Sequence, residues 1–367
     1  MREVLKNFLL VCGSLIVALL LLELGLRLFL PQSLNNVRAD EYLLYSYVPD
    51  KMACSSRSAD LDFCNRINAK GLNDIEHSYN RSRPRILVIG DSFIGGIIGK
   101  EDEQFIDFLQ QRLPDYEVIC MGVGSYSTDN QLIWLQTEGY KYHPDVVLLA
   151  MSMNDIWDNT VKDLFIVDAS GQLQHNVPLR ISPVKRVAMA CAARLQVCAL
   201  AYNTLLQSPL IIRILHQVGV SNIAADSDAP KFIMQSVPAA LFVGSNSQVD
   251  AAWNRTYMLL DAFASYTRLI GAKPVVMMVP LREQLFPADD NRSLALAGEQ
   301  GADMARPEEL LASHLGDVGV PFIDLLSVFQ QHRDEGMYYP VDGHWAVDGT
   351  RTAGGYVADT LRGAGLV

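Results

Sequence analysis

No stretch of this 367-residue chain is basic. Lys and Arg number 30 against 41 Asp and Glu, a formal charge of −11, so no positive stripe is offered to nucleic acid or another polyanion. There is no internal repeat and no low-complexity tract. His77, His143, His175, His216, His314 and His332 share no metal-ligand spacing and read as surface or packing residues. Gly95, Gly96 and Gly99 are not followed by Gly-Lys-Ser/Thr, which leaves no phosphate loop. No metal and no cofactor is implied. Cysteine is scarce, at six.

The residues present begin with an apolar run, FLLVCGSLIVALLLLELGLRLFL, from Phe8 to Leu30. As a helix its 23 residues rise about 34 Å, enough for a hydrocarbon core of about 30 Å. Glu23 and Arg27 are its only charges, spaced to pair on one face. Arg2 and Lys6 precede it, which predicts a cytoplasmic amino terminus and an extracytoplasmic remainder. A cleaved signal peptide would be shorter and end in small residues; here the run ends in Leu28-Phe29-Leu30-Pro31-Gln32. The expectation is an uncleaved single-pass anchor in the cytoplasmic (inner) membrane, with the rest of the chain in the periplasm or its equivalent.

The cysteines fit that compartment. Cys54 and Cys64 flank a polar loop and suggest a disulfide. Cys191 and Cys198 are the other pair, but on one straight helix they would stand about 10.5 Å apart, beyond the roughly 7 Å a bridge spans. Bridging them requires the helix to break. Cys12 lies in the apolar run, and Cys120 reads as a small core residue.

Residues 31–84 form a polar lead-in with a strand-like piece at Tyr42 to Val48. Strand and helix patterns then alternate: strands at 85–89, 116–123 and 145–152, helices at 103–113 and 128–140. Residues 160–250 interrupt them with a helical stretch from 183 to 217, broken at Ser208-Pro209, and a polar stretch at 221–230. The alternation resumes with a helix at 255–270, a strand at 274–279, a helix at 307–315, a strand at 322–325 and a helix at 347–361. This predicts an α/β fold: a three-layer αβα, doubly wound, flavodoxin-like parallel sheet of about five strands. The domains expected are 1–30 (cytoplasmic end and anchor), 31–84 (lead-in) and 85–367, with a helical insertion at about 160–250.

In such a sheet, loops at the carboxyl ends of strands share the functional edge. Gly90-Asp91-Ser92, Gly122-Val123-Gly124-Ser125-Tyr126 and Ser152-Met153-Asn154-Asp155 all lie there, and Asp342-Gly343-His344-Trp345 comes after the last strand. These blocks resemble the SGNH hydrolase family, also called GDSL-like lipases and esterases. The first matches its nucleophile block. The third matches its Gly-x-Asn-Asp block with serine for the first glycine. The Asp-x-His-Trp is similar to that of the membrane-associated, alginate O-acetyltransferase-like branches. The resemblance covers about 85–160 and 255–365, and leaves the anchor, lead-in and insertion without a catalytic motif.

Serine needs a base within about 3 Å to become a nucleophile; His344 is the candidate for Ser92. The base needs an orienting carboxylate, which suits Asp342. The oxyanion formed on acyl attack needs preorganised donors: the Ser92 N–H, a second-loop N–H at Ser125 or the adjacent Gly124, and the Asn154 amide. Ser125 stands where the family usually has glycine. Asp342 and His344 have one residue between them where many members have two, a spacing found in the acetyltransferase-like branches. Asp91 and Asp155 read as loop-bracing or capping carboxylates. The resemblance implies a membrane-anchored serine esterase or O-acyltransferase acting on acyl esters, acetyl above all, of an envelope or exported polysaccharide. The alternative is a non-catalytic tethered scaffold or glycan-binding module of the same fold.

Overall fold

The computed structural model describes residues 2–58, 60–162, 164–205, 240–286 and 301–367. The expected break at Ser208-Pro209, the polar stretch at 221–230 and His216 lie outside them. In chain order the elements used below are α1 (Arg2–Phe29), β1 (Leu44–Tyr47), β2 (Met52–Ser58), β3 (Leu61–Arg66), β4 (Arg85–Gly90), α2 (Ser92–Gly95), α3 (Phe105–Arg112), β5 (Glu117–Gly122), α4 (Thr128–Thr137), β6 (Val146–Ser152) and α5 (Met153–Asp158). They continue with α6 (Pro183–Ala192), α7 (Gln196–Leu205), α8 (Ser247–Leu269), β7 (Lys273–Val279), α9 (Arg282–Leu285), α10 (Arg306–Asp317), β8 (Phe322–Asp324), α11 (Leu326–Gln331) and α12 (Val347–Gly363).

The chain divides into two compact units. One holds the described residues of 41–179 and 233–367, the other those of 1–40 and 180–232. The lead-in and the insertion are thus each shared between the two.

The larger unit is built on a five-stranded sheet in the order β8-β7-β6-β4-β5, with every pairing parallel. With the strands numbered one to five along the chain, this is the order 2-1-3-4-5 read from the β5 edge, the expected flavodoxin-like winding. All residues of β4 and β6 are buried, which explains their unbroken apolar sequences: a parallel sheet is covered on both faces. Alternate residues divide between those faces. Ile86, Val88, Leu148, Ala150, Val275 and Met277 join a core with Phe105 and Leu109 of α3 and Ala353 and Val357 of α12. α4 and α8 pack together over the opposite face. The strand order reverses at β4, between β6 and β5, so the loops after these strands meet at one crevice.

Beside the sheet, β2 and β3 form an antiparallel hairpin in which Cys54 pairs directly with Cys64 and is joined to it by a disulfide.

The smaller unit contains α1, α6 and α7. α1 is the one described helix long and apolar enough to cross a membrane. The break required of the 183–217 helix occurs at 193–195, and it brings the Cys191 and Cys198 Cα atoms to 5.6 Å, with the disulfide formed. Glu23 accepts hydrogen bonds from the Gln196 and Val197 backbone N–H groups at 3.0 and 2.9 Å, as well as 2.8 Å from Arg27 Nε. The first turn of a helix has N–H groups without intrahelical partners and a partial positive charge. A carboxylate in α1 therefore satisfies the start of α7.

Candidate active site

Strand β4 ends in Gly90, and Asp91 starts α2. The Asp91 side chain accepts from the Phe93 N–H at 2.9 Å as an N-cap, which fixes Ser92 in the first helical position at the end of the strand. The turn is tight. A Cβ on Gly95 would lie 2.1 Å from the Gly122 carbonyl oxygen, so the elbow can sit on the β5 loop only with glycine there.

The Asp342–His344 loop is held from several sides. Tyr339 N donates to His344 O at 2.8 Å, and Gly343 N to Tyr339 O at 3.0 Å. Trp345, 1 % exposed, packs among Phe93, Phe105 and Phe329. From the β2–β3 hairpin, Asp60 accepts from the backbone N–H of Val341 at 2.6 Å and of Asp342 at 3.3 Å. Gly343 has φ of +85°. That left-handed residue lets an acid and a base on either side of it turn toward each other.

His344 Nε2 lies 2.7 Å from Ser92 Oγ, and its Nδ1 is hydrogen-bonded to Asp342 Oδ1. The Phe93 ring, 4.8 Å between centroids from the imidazole, packs against one side of His344. Ser92 and His344, 252 positions apart in the chain, therefore join Asp342 in a continuous Ser–His–Asp line.

On the other side of Ser92, Gly124 is adjacent: a Cβ built on it would stand 3.8 Å from Ser92 Cβ. Ser125 takes φ of +63°, a left-handed conformation that glycine adopts more readily than serine. Neither the Ser92 nor the Ser125 N–H has an acceptor among the described residues. Asn154 opens α5 beyond β6. Its Oδ1 accepts from Ser152 Oγ at 2.7 Å and its Nδ2 reaches Asp158 Oδ2 at 3.5 Å. The same Ser152 hydroxyl lies 2.6 Å from Asp91 Oδ2, so Ser152 joins the Ser92 loop to the Asn154 loop.

Beneath the loops lies a buried acidic group. Burial raises the carboxyls of Asp91, Asp129, Asp155 and Asp158, and in each case the charge of Lys162 pulls the other way. No group of three or more His, Cys, Asp or Glu side chains among the described residues has a metal-holding arrangement.

Sequence reasoning missed Asp60, Tyr45 and Lys162. All three lie in segments without a family motif, and only tertiary contact reveals them. Tyr45 Oη stands 3.1 and 3.0 Å from the Gly124 and Ser125 carbonyl oxygens. Lys162 Nζ donates to the Ser125 carbonyl at 2.6 Å.

An α/β sheet of this winding, with a serine after its first strand and an Asp-x-His before its last helix, is similar to an SGNH hydrolase-like domain and supports an ester-acting hydrolase or acyltransferase. Residues 241–366 match the family model described as the SGNH hydrolase-like domain of acetyltransferase AlgX. The matched segment carries Asp342 and His344, and the loops of Ser92 and Asn154 precede it. No curated protein matches the chain. Among solved structures it is similar to a lipolytic protein of the G-D-S-L family from Desulfitobacterium hafniense DCB-2. The identity is 12 %, the TM-score 0.39, and 76 % of this chain and 100 % of that one are covered. It is also similar to Axe2, an acetyl-xylooligosaccharide esterase from Geobacillus stearothermophilus, at 11 % identity and TM-score 0.40, over 76 % and 93 % of the two chains. At such values the likeness says nothing about substrate.

Proposed function

We propose that the protein is a membrane-anchored, extracytoplasmic serine esterase or O-acyltransferase acting on acetyl esters of an envelope or exported polysaccharide. The observation that carries the serine chemistry is the 2.7 Å contact of Ser92 Oγ with His344 Nε2, with Asp342 on the opposite ring nitrogen. His344 takes the Ser92 proton as Oγ attacks the acyl carbon. Asp342 holds the imidazole in the tautomer that leaves Nε2 free to accept and balances the charge that develops. The carbonyl oxygen becomes an oxyanion facing the Ser92 and Ser125 N–H groups and the Asn154 amide. Collapse expels the alcohol oxygen with the proton from His344 and leaves acetyl on Ser92. Water or a sugar hydroxyl then loses its proton to His344 and takes the acetyl group, and the proton passes from His344 to Ser92 Oγ as the ester bond to Ser92 breaks; the first is hydrolysis, the second transfer.

The anchor is supported by the exposed apolar surface of α1 and by Glu23, whose charge is met by Arg27 and the start of α7. The two disulfides fit an oxidising compartment. Family resemblance and location carry the polysaccharide.

The test is labelling of the full chain, in detergent, by a fluorophosphonate probe, together with hydrolysis of p-nitrophenyl acetate. The expected result is labelling and turnover that both vanish in Ser92→Ala. A wild-type protein inert to both would defeat the proposal. Adding oligosaccharide acceptors separates transfer from hydrolysis, since acetate release unaffected by any acceptor argues for the esterase. A carboxyl-terminal reporter active in the cytoplasm would overturn the topology.

A further inference from the structure

We infer that Tyr45 and Lys162 are positioning residues of the oxyanion hole, holding the Gly124–Ser125 peptide (Tyr45) and the Ser125–Tyr126 peptide that follows it (Tyr45 and Lys162) so that the Ser125 N–H faces the nucleophile. The inference rests on the serine chemistry proposed above and assigns work to two segments, lead-in and insertion, that carry no family motif. The peptide unit is planar and trans, so its C=O and N–H point in opposite directions. Tyr45 Oη holds the Gly124 carbonyl oxygen at 3.1 Å. The N–H of the same peptide, that of Ser125, is thereby aimed away from Tyr45. Gly124 borders Ser92, and no described residue accepts that N–H.

A clamp is needed because Ser125 is not glycine. Its φ of +63° places a side-chain-bearing residue in the left-handed region, a conformation that L side chains disfavour. An unrestrained loop would relieve this by rotating the peptide, which would turn the donor out of the hole. Two groups oppose that rotation. The Tyr45 hydroxyl shares its proton between the Gly124 and Ser125 carbonyls, and burial, then the charge of Asp158, raises the phenol, so it stays a donor. Lys162 Nζ spends its donors on the loop and the start of α4: Ser125 O at 2.6 Å, Ser127 Oγ at 2.6 Å and Asn130 Oδ1 at 3.1 Å.

Tyr45 is itself fixed from the same side. Tyr126 Oη donates to the Tyr45 carbonyl at 2.6 Å, Asn130 Nδ2 to Leu43 O at 2.9 Å, and the Tyr45 and Tyr126 rings lie 5.5 Å apart. The loop and the lead-in strand thus brace each other, and the residue after the donor ties them together.

The experiment compares Tyr45→Phe, Lys162→Met and Lys162→Arg with wild type, as full chains in detergent, on p-nitrophenyl acetate and by the rate of fluorophosphonate labelling. Tyr45→Phe removes one hydroxyl and keeps the ring packing. A group that aims an oxyanion donor acts on the transition state and not on substrate binding. Removing a donor outright costs about 10²–10³ in rate; misaiming one is expected to cost kcat about 10–100-fold, with KM within about threefold of wild type. The labelling rate, which also builds charge on oxygen, should fall in parallel, and Lys162→Arg should recover part of what Lys162→Met loses. Tyr45→Phe within about threefold of wild-type kcat would overturn the inference. So would a loss explained by a lower melting midpoint, or one carried by KM alone. A wild type inert to both probes would instead defeat the serine chemistry itself, so the two failures are distinguishable.

Discussion

At the scale of single residues, the site depends on backbone conformations that side chains normally avoid, and Gly343 and Ser125 are the two that matter. Gly343 separates Asp342 from His344 and has φ of +85°, and among the described residues no non-neighbouring atom lies within 4 Å of where a Cβ would stand. Gly343→Ala therefore introduces conformational strain and no clash. It is expected to destabilise the fold by about 1–2 kcal/mol. If the loop relaxes, the Asp342–His344 bond opens and kcat falls, while Ser92 stays labelled at a reduced rate. Denaturant titration and probe kinetics on the one variant measure both. Unchanged stability and kcat would show that Gly343 does not close the pair.

At the scale of elements, the Asp342–His344 loop is gripped by a hairpin outside the sheet. Antiparallel pairs of this size are marginal alone. The disulfide joins directly opposed residues of β2 and β3, and Asp60 at the far end takes two backbone N–H groups of the loop. Closing a loop of this length is worth about 3 kcal/mol in the chain-entropy model. Replacing both cysteines by serine is expected to lower the melting midpoint and to reduce kcat several-fold as Asp60 releases Val341 and Asp342. Asp60→Ala should reproduce the kinetic loss with a smaller change in stability. If neither variant changes kcat, the hairpin has no part in positioning His344.

Much of this element plan was legible in the sequence. The buried strands wrote themselves as apolar runs because both faces of a parallel sheet are covered, and Ser92, Asn154, Asp342 and His344 stood in blocks that resemble those of the SGNH hydrolases. The hairpin's grip was not legible: Asp60 acts through backbone groups 281 and 282 residues away, and backbone partners leave no mark on residue identity. The same holds for Tyr45 and Lys162, whose acceptors include the carbonyls of Gly124 and Ser125. The helix break at 193–195 could be inferred only as a condition for the Cys191–Cys198 bridge, since Ala193-Arg194-Leu195 contains neither glycine nor proline.

At the scale of the whole molecule, buried acids set the pH at which the protein is most stable. Burial raises Asp107 to about 6 and Glu308 to about 8, and raises the four carboxyls beneath the active site as well. Glu308 is the simplest to test. It is 3 % exposed, its Oε1 accepts from Gln284 Nε2 at 2.7 Å, and its Oε2 has no partner among the described residues. Between the ordinary glutamate value near 4.5 and about 8, the folded protein holds a proton there that the unfolded chain has released. Stability therefore falls as pH rises across that window. His77 works in the same direction. Burial lowers it, but hydrogen bonds to Asp74 and Glu117 outweigh this and raise it, so its contribution is present below its unfolded value and lost as pH climbs through the folded one. Glu117, held down by His77 and Arg85 against its own desolvation, opposes only on the acid side, where its contribution is lost as pH falls. The full chain is thus expected to melt at a higher temperature at about pH 5.5 than at about pH 8.5. Glu308→Gln, which keeps the shape and cannot ionise, should reduce that difference, mainly by raising the midpoint at the alkaline value. Melting curves of wild type and variant at the two pH values decide it: a variant no less sensitive to alkali than wild type would remove Glu308 from the account.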